Sequence, residues 1–169
     1  METSSERTRT VTWEDPFETM RAAPGKTGLE LLREMSAGGL PPPPIARLMG
    51  FTGLLFEEGR AIFEGEPAEY LYNPIGVVHG GFAMTLLDSA MGCAVHSTLG
   101  VGDRYTTLET KVYFVRPITL ETGRVRCEGV IVHRGGTVAT ADGRVMAVAT
   151  GKLLAHGTST CLIVPARSE

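Results

Sequence analysis

Gly80-Gly-Phe-Ala-Met-Thr-Leu-Leu-Asp88-Ser-Ala-Met-Gly-Cys-Ala-Val-His-Ser-Thr98 has no proline and is rich in Ala, Leu and Met, which predicts one long helix. Its apolar side chains, Phe82, Met84, Leu86, Leu87, Met91 and Val95, run almost all round the cylinder. A helix with no polar face is a buried one. The small residues Gly81, Ala83, Ala90, Gly92 and Ala94 let a second backbone approach closely. The fold is therefore set by what wraps this rod.

The flanking sequence supplies strands. Tyr105 to Arg116 alternates, with Leu108, Val112 and Phe114 expected on one face and Glu109, Lys111 and Tyr113 on the other, and Pro117 stops it. Gly123 to His133 alternates again through Val125, Cys127 and Ile131, and Arg134-Gly135-Gly136 turns the chain. Two later turn signals compete, Asp142-Gly143 and Ala149-Thr150-Gly151. The second leaves two strands matched in length to the preceding pair, so Asp142-Gly143 is expected inside a strand, at a bulge. Upstream, Phe51 to Glu57 and Arg60 to Glu66 flank Glu58-Gly59 and read as a hairpin. Two strands, a helix and four strands predict an α+β fold. It is a curved antiparallel sheet of about six strands wrapped around one central helix, its outer face needing cover from a partner.

Residues 1–46 read as an N-terminal arm, and 47–169 as the body. Residues 1–27 hold Trp13 and Phe17 as their large apolar groups and are expected to form a loose arm, with room for a docked turn at its end. Thr27 to Met35 places Leu31, Leu32 and Met35 at helical spacing, and Gly38-Gly39 ends that helix. Pro41 to Pro44 is expected to be extended, and Ile45 to Gly50 allows one further turn.

The 169 residues carry 16 Lys+Arg against 19 Asp+Glu, and 43% are hydrophobic, which argues for one globular unit and against wholesale disorder. A net charge of −3 argues against a nucleic-acid protein. No apolar run approaches the ~20 residues of a membrane span, and the polar start lacks a signal-peptide core, so a cytoplasmic, non-membrane protein is expected. Cys93, Cys127 and Cys161 stand far apart without a CxxC, a poor disulfide or zinc pattern. No metal is expected. The histidines lack metal spacing, no GxSxG elbow surrounds Ser89 or Ser97, and neither Gly100-Val-Gly102 nor Gly135-Gly136 sits in a βαβ unit.

Chemistry concentrates in Asn73-Pro-Ile-Gly-Val-Val-His79-Gly80-Gly81 and in Asp88. A helix start exposes unpaired N–H groups and the positive end of the macrodipole, which suits a developing oxyanion at Gly80 or Gly81. The plain alternative is a tight helix entry with His79 satisfying a neighbour. Asp88 lies two turns into an apolar helix, where a carboxylate must be paired, hydrated or functional. Eight residues at 1.5 Å rise is about 12 Å, so Asp88 and its own helix start cannot act on one atom. Two such helices packed antiparallel about a two-fold axis would bring each Asp88 to the other's Gly80.

The pattern Asn73-x2-Gly76-x2-His79-Gly80-Gly81-x6-Asp88 resembles the signature of hotdog-fold acyl-CoA thioesterases, in particular the PaaI type of phenylacetate catabolism. The likeness continues through Lys111 to Pro117, Val132 to Gly135 and Leu154 to Cys161, and covers about Arg47 to Val164. The resemblance implies hydrolysis of an acyl-CoA thioester. Gly80 N–H would polarise the carbonyl, helped by Asn73, and Asp88 of the facing chain would activate water or attack directly. His79 would support the loop and Asn73, and Thr107 would help orient the water. Gly81, Arg116, Pro117, Arg134 and Gly135 would meet coenzyme A, which enters as part of the substrate; no separate cofactor is implied. The expected assembly is a homodimer at least, with a dimer of dimers beyond it. A non-catalytic acyl-CoA-binding module and an enoyl-CoA hydratase or dehydratase on the same fold stand as alternatives. Phe82, Met84, Leu86 and Met91 are candidates to line the acyl pocket.

Overall fold

The computed structural model describes residues 6–166. In chain order it comprises helices α1 (Glu18–Ala22), α2 (Gly28–Ser36) and α3 (Pro44–Met49), strands β1 (Phe51–Glu57) and β2 (Arg60–Gly65), and helix α4 (Gly80–His96). Strands β3 (Arg104–Phe114), β4 (Val125–Arg134), β5 (Val138–Ala147) and β6 (Leu153–Val164) follow. All six strands form one antiparallel sheet in the order β1-β2-β4-β5-β6-β3, so β1 and β3 are its edges. The sheet curves around α4, which touches every strand. Phe82, Leu86, Leu87, Met91 and Val95 of α4 are fully buried against it, each worth about 1.5–3 kcal/mol relative to exposure.

The helix lies close because the sheet beneath it lacks side chains. Gly129, Gly143 and Gly157 are register partners across β4, β5 and β6. A Cβ on Gly129 would overlap the Ala90 carbonyl and stand 2.6 Å from Met91 N, and one on Gly143 would stand 2.8 Å from Leu87 Cδ2. Gly143 is thus a seat for α4. The register runs unbroken through Asp142 and Gly143, and the expected bulge there is absent.

Bulges do occur on both edge strands. Leu54 is the extra residue of β1 and Leu108 that of β3. A bulge reverses the alternation beyond it, so Phe51 and Phe56 of β1 both point inward. On β3, Tyr105 and Thr107 face inward before the bulge and Thr110 and Val112 after it. Leu108, expected on the same face as Val112, is therefore turned the other way and 60% exposed.

The preferred turn over residues 148–152 is the one the chain uses. Helix α4 stops at His96, two residues short of the expected end. There Ser97 Oγ donates to Ala94 O (2.7 Å) and accepts from Gly59 N (2.8 Å), tying the β1–β2 turn to the helix end.

The arm departs most from expectation. Its described part carries α1 and is strapped down: Arg7 pairs with Glu69 (2.9 Å) and Glu14 with Arg47 (3.1 Å). Arg9 donates to Leu48 O (2.6 Å) and lies 3.8 Å over the Tyr70 ring. These partners are remote in sequence, so no local signal announces them. The expectation for residues 1–5 lies outside the described residues. Pro44 is not extended but opens α3, where a proline's missing N–H costs nothing. In α2 a full capping box joins Thr27 and Glu30, and Leu31 and Leu32 are buried; Leu32 and Ala46 belong to the same core as α4.

Candidate active site

The loop before α4 is closed by its own polar groups. Asn73 N donates to Val77 O (2.8 Å), and Asn73 Oδ1 accepts from Ile75 N (3.1 Å) and Val77 N (3.4 Å). The Asn73 side-chain oxygen thus shapes the loop. Val78 N donates to Ile118 O (2.9 Å) and His79 N to Leu71 O (2.8 Å), which fixes the helix entry. His79 is the N-cap, its Nδ1 accepting from Gly81 N at 2.9 Å. That bond consumes the Gly81 N–H. Among the described residues no hydrogen bond engages the Gly80 N–H, which leaves Gly80 as the free donor at the positive end of α4. Phe114 walls this corner, its ring 2.9 Å from where a Gly80 Cβ would stand.

Asp88 is exposed on the one open strip of α4, in line with Gly81, Met84 and Thr85. Its Oδ1 accepts from Thr107 Oγ1 (3.2 Å) and Thr110 Oγ1 (3.3 Å). Among the described residues no hydrogen bond reaches Oδ2. One oxygen is held while the other is offered. The β3 bulge makes this geometry, because residues three apart on a regular strand face opposite sides. Thr110 is a site residue that sequence reasoning misses, since the sequence carries no mark of where a bulge falls.

The residues expected to meet coenzyme A separate into two groups. Arg116 Nη1 donates to Leu153 O (2.7 Å), and it and Pro117 lie beside Ile118, next to the start of α4. Arg134 Nε donates to Thr98 Oγ1 (3.2 Å), and Arg134 also bonds the Gly135 carbonyl, just past the helix end. The 17 residues between these ends span about 25 Å. One chain does not bring them together.

Of the residues expected to line an acyl pocket, Phe82, Leu86 and Met91 are core and only Met84 is exposed. A helix that is apolar all round does not reveal which side meets a ligand. The cavity beside Asp88 is instead a cleft of about 720 Å³ that also touches Ser89, Cys93, Phe51 and Tyr105. Burial, with a smaller contribution from the Asp88 charge, pushes the Cys93 thiol up to about 12, so it is no nucleophile at neutral pH. Burial also raises Tyr105.

His96 closes α4 with its ring edge-on to Tyr105, centroids 5.6 Å apart. Burial holds its pKa below the ordinary 6.5. The unfolded chain therefore takes up this proton more readily than the folded one. Its contribution to stability is full above pH about 6.5 and is lost as pH falls from there through the lower folded value. In urea titrations, stability should fall over that range more steeply for the natural chain than for His96→Phe; equal slopes would contradict the assignment.

Comparison with known proteins agrees with this fold. The thioesterase superfamily model matches residues 75–153. A Saccharolobus solfataricus protein named as an esterase is 32% identical over 102 residues, 56% of this chain and 71% of that protein. A variant of the phenylacetic acid degradation protein PaaI from Thermus thermophilus is 29% identical with a TM-score of 0.64, covering 70% of this chain and 97% of its own. The smu.793 protein of Streptococcus mutans UA159, solved bound to acetyl-CoA, is 28% identical with a TM-score of 0.62, covering 70% and 92%. Sheet order, buried helix and these matches together place the chain in the thioesterase superfamily, as a hotdog-fold protein of the PaaI type.

Proposed function

We propose that the protein hydrolyses acyl-CoA thioesters at sites shared by two copies of the chain. The observation that carries this reading is Asp88, its Oδ1 held by two threonines and its Oδ2 open, on an exposed strip of an otherwise buried helix. About 12 Å of helix separates it from its own Gly80, so a second chain must supply the oxyanion donor. Two surfaces invite that chain. The open strip of α4 exposes Met84, and the long edge strand β3 exposes Leu108 and Phe114, a template for pairing unless covered. Antiparallel stacking of two α4 helices sets each Asp88 against the partner's Gly80 end. The same operation carries Arg134 and Gly135 of one chain towards Arg116 and Pro117 of the other. A dimer of dimers would further cover Val130 and Val132 on the outer sheet face.

The chemistry is then short. Asp88 Oδ2 takes a proton from water as the water oxygen attacks the thioester carbonyl carbon. Charge moves onto the carbonyl oxygen, where the Gly80 N–H stabilises it, a contribution worth roughly 10²- to 10³-fold. Collapse breaks the carbon–sulfur bond, and the departing CoA thiolate takes up the proton that Asp88 removed from water. Thr107 and Thr110 position the carboxylate. Thr110→Val should lower kcat by about tenfold with KM little changed, and Thr110→Ser should recover most of it; a loss confined to KM would place Thr110 elsewhere.

The test is an acyl-CoA panel followed by free thiol, with enoyl-CoA hydration measured in parallel. Thiol release without hydration supports the reading, and hydration alone would favour the hydratase alternative. Mixing inactive Asp88→Asn with inactive Gly80→Val chains supplies the discriminating result. Refolded hybrids should regain about a quarter of natural turnover, because half the dimers are mixed and each mixed dimer holds one intact site. No recovery would contradict a shared site.

A further inference from the structure

The cleft beside Asp88 is built largely by the arm, outside the residues matched by the thioesterase family. Helix α2 contributes Leu32 and Met35, and the chain after it contributes Leu40 and Pro41 to Pro43. The facing wall is Phe51, Phe56 and Phe63, stacked edge-to-face at 5.8 and 5.5 Å. This roof is fixed in place. Gly28 N donates to Leu99 O (3.1 Å), and a Cβ on Gly28 would overlap the His96 carbonyl, so α2 is seated directly on the end of α4. Lys26 pairs with Glu34 along the helix. Prolines 41–43 hold the connection extended.

We infer that this chamber receives the acyl group of the substrate, and that the class accepted is an apolar acyl chain well beyond acetyl. The inference rests on the proposed hydrolysis, since it takes Asp88 to mark where the thioester carbonyl sits. A volume of about 720 Å³ falls in the roughly 300–1,000 Å³ range of pockets that enclose a drug-sized ligand. An acetyl group would leave most of it unfilled. Charge excludes the other half of the substrate: the arm contributes Glu14 and Glu18 to the lining, and the one cation there among the described residues, Arg47, is already paired with Glu14. Coenzyme A phosphates are repelled, while an uncharged chain is not. The protomer that supplies Asp88 therefore also houses the acyl group, and its arm limits the size accepted.

Non-hydrolysable thioethers separate this inference from the catalytic one. In calorimetry on the full-length protein, S-octyl-CoA should bind at least tenfold tighter than S-ethyl-CoA. Met35→Trp, or Ser36→Trp at an exposed lining position should the first not fold, should erase most of that difference and lower the octanoyl-to-acetyl ratio of kcat/KM about tenfold or more. Equal affinity for the two thioethers in the natural protein, or a preference unmoved in a folded variant, would overturn the chamber assignment and leave hydrolysis standing. A thioether preference that responds to the variants, in a protein that releases no thiol from any acyl-CoA, would support the chamber and overturn the hydrolysis.

Discussion

Replacing Asp88 by asparagine is expected to lower kcat on acyl-CoA thioesters by about 10²- to 10⁴-fold, the range for a positioned general base. Asparagine is nearly isosteric, and its Oδ1 accepts the same two hydroxyl protons that Thr107 and Thr110 give the carboxylate. The group lost is the open Oδ2, replaced by an amide nitrogen that cannot take a proton from water. Affinity for S-octyl-CoA and the thermal midpoint should therefore stay close to natural values while turnover collapses. A variant retaining more than a tenth of the natural kcat would remove Asp88 from the reacting atoms.

The largest effect on stability is expected at Gly129. Its Cβ position is occupied by the backbone of α4, the Ala90 carbonyl and Met91 N, so no rotamer change in a neighbour can make room. Inserting bulk into packed cores ordinarily costs about 1–3 kcal/mol. Gly129→Val must lift a helix carrying five fully buried large side chains, so about 3 kcal/mol or more is expected. For a chain of this size that lowers the thermal midpoint by about 6–12 °C. Gly136→Ala is the control, since nothing lies within 4 Å of its Cβ position. A Gly129→Val protein within about 1 kcal/mol of the natural chain would show that α4 is not seated on the glycine row. Because Asp88 rides on α4, turnover in the surviving folded fraction should drop as well.

How much of this is legible in the sequence depends on whether the signal is local. The β1–β2 turn at Glu58-Gly59, the long helix and the choice of turn after β5 follow from neighbours in sequence. So does the grouping of Asn73, His79 and Gly80 at one helix entry, with Asp88 two turns on. The arm's attachments join residues dozens of positions apart, such as Arg7 with Glu69, and have no local signature. Pro44 departs from expectation because a proline run looks extended up to the residue that begins a helix. Leu108 and Thr110 escape together, since strict alternation is the default and a bulge violates it silently. Phe82, Leu86 and Met91 suit a ligand as well as a core on sequence grounds, because hydrophobicity alone does not distinguish a core contact from a cavity wall.

That bulge has a genetic corollary. Excising the single codon for Leu108 would preserve Asn73, the His-Gly-Gly corner, Asp88 and both threonines. It would also remove the bulge, leaving the threonines two positions apart on a regular strand and so still on one face, with their partners Cys161 and Ser159 unchanged. A descendant altered in this way would keep its acid tethered, whereas one that flattened the bulge with all three residues in place would pass any inspection of its signature letters with one hydroxyl turned away. What a lineage must guard is the match of parity to pairing, an odd separation of Thr107 and Thr110 with the bulge or an even one without it.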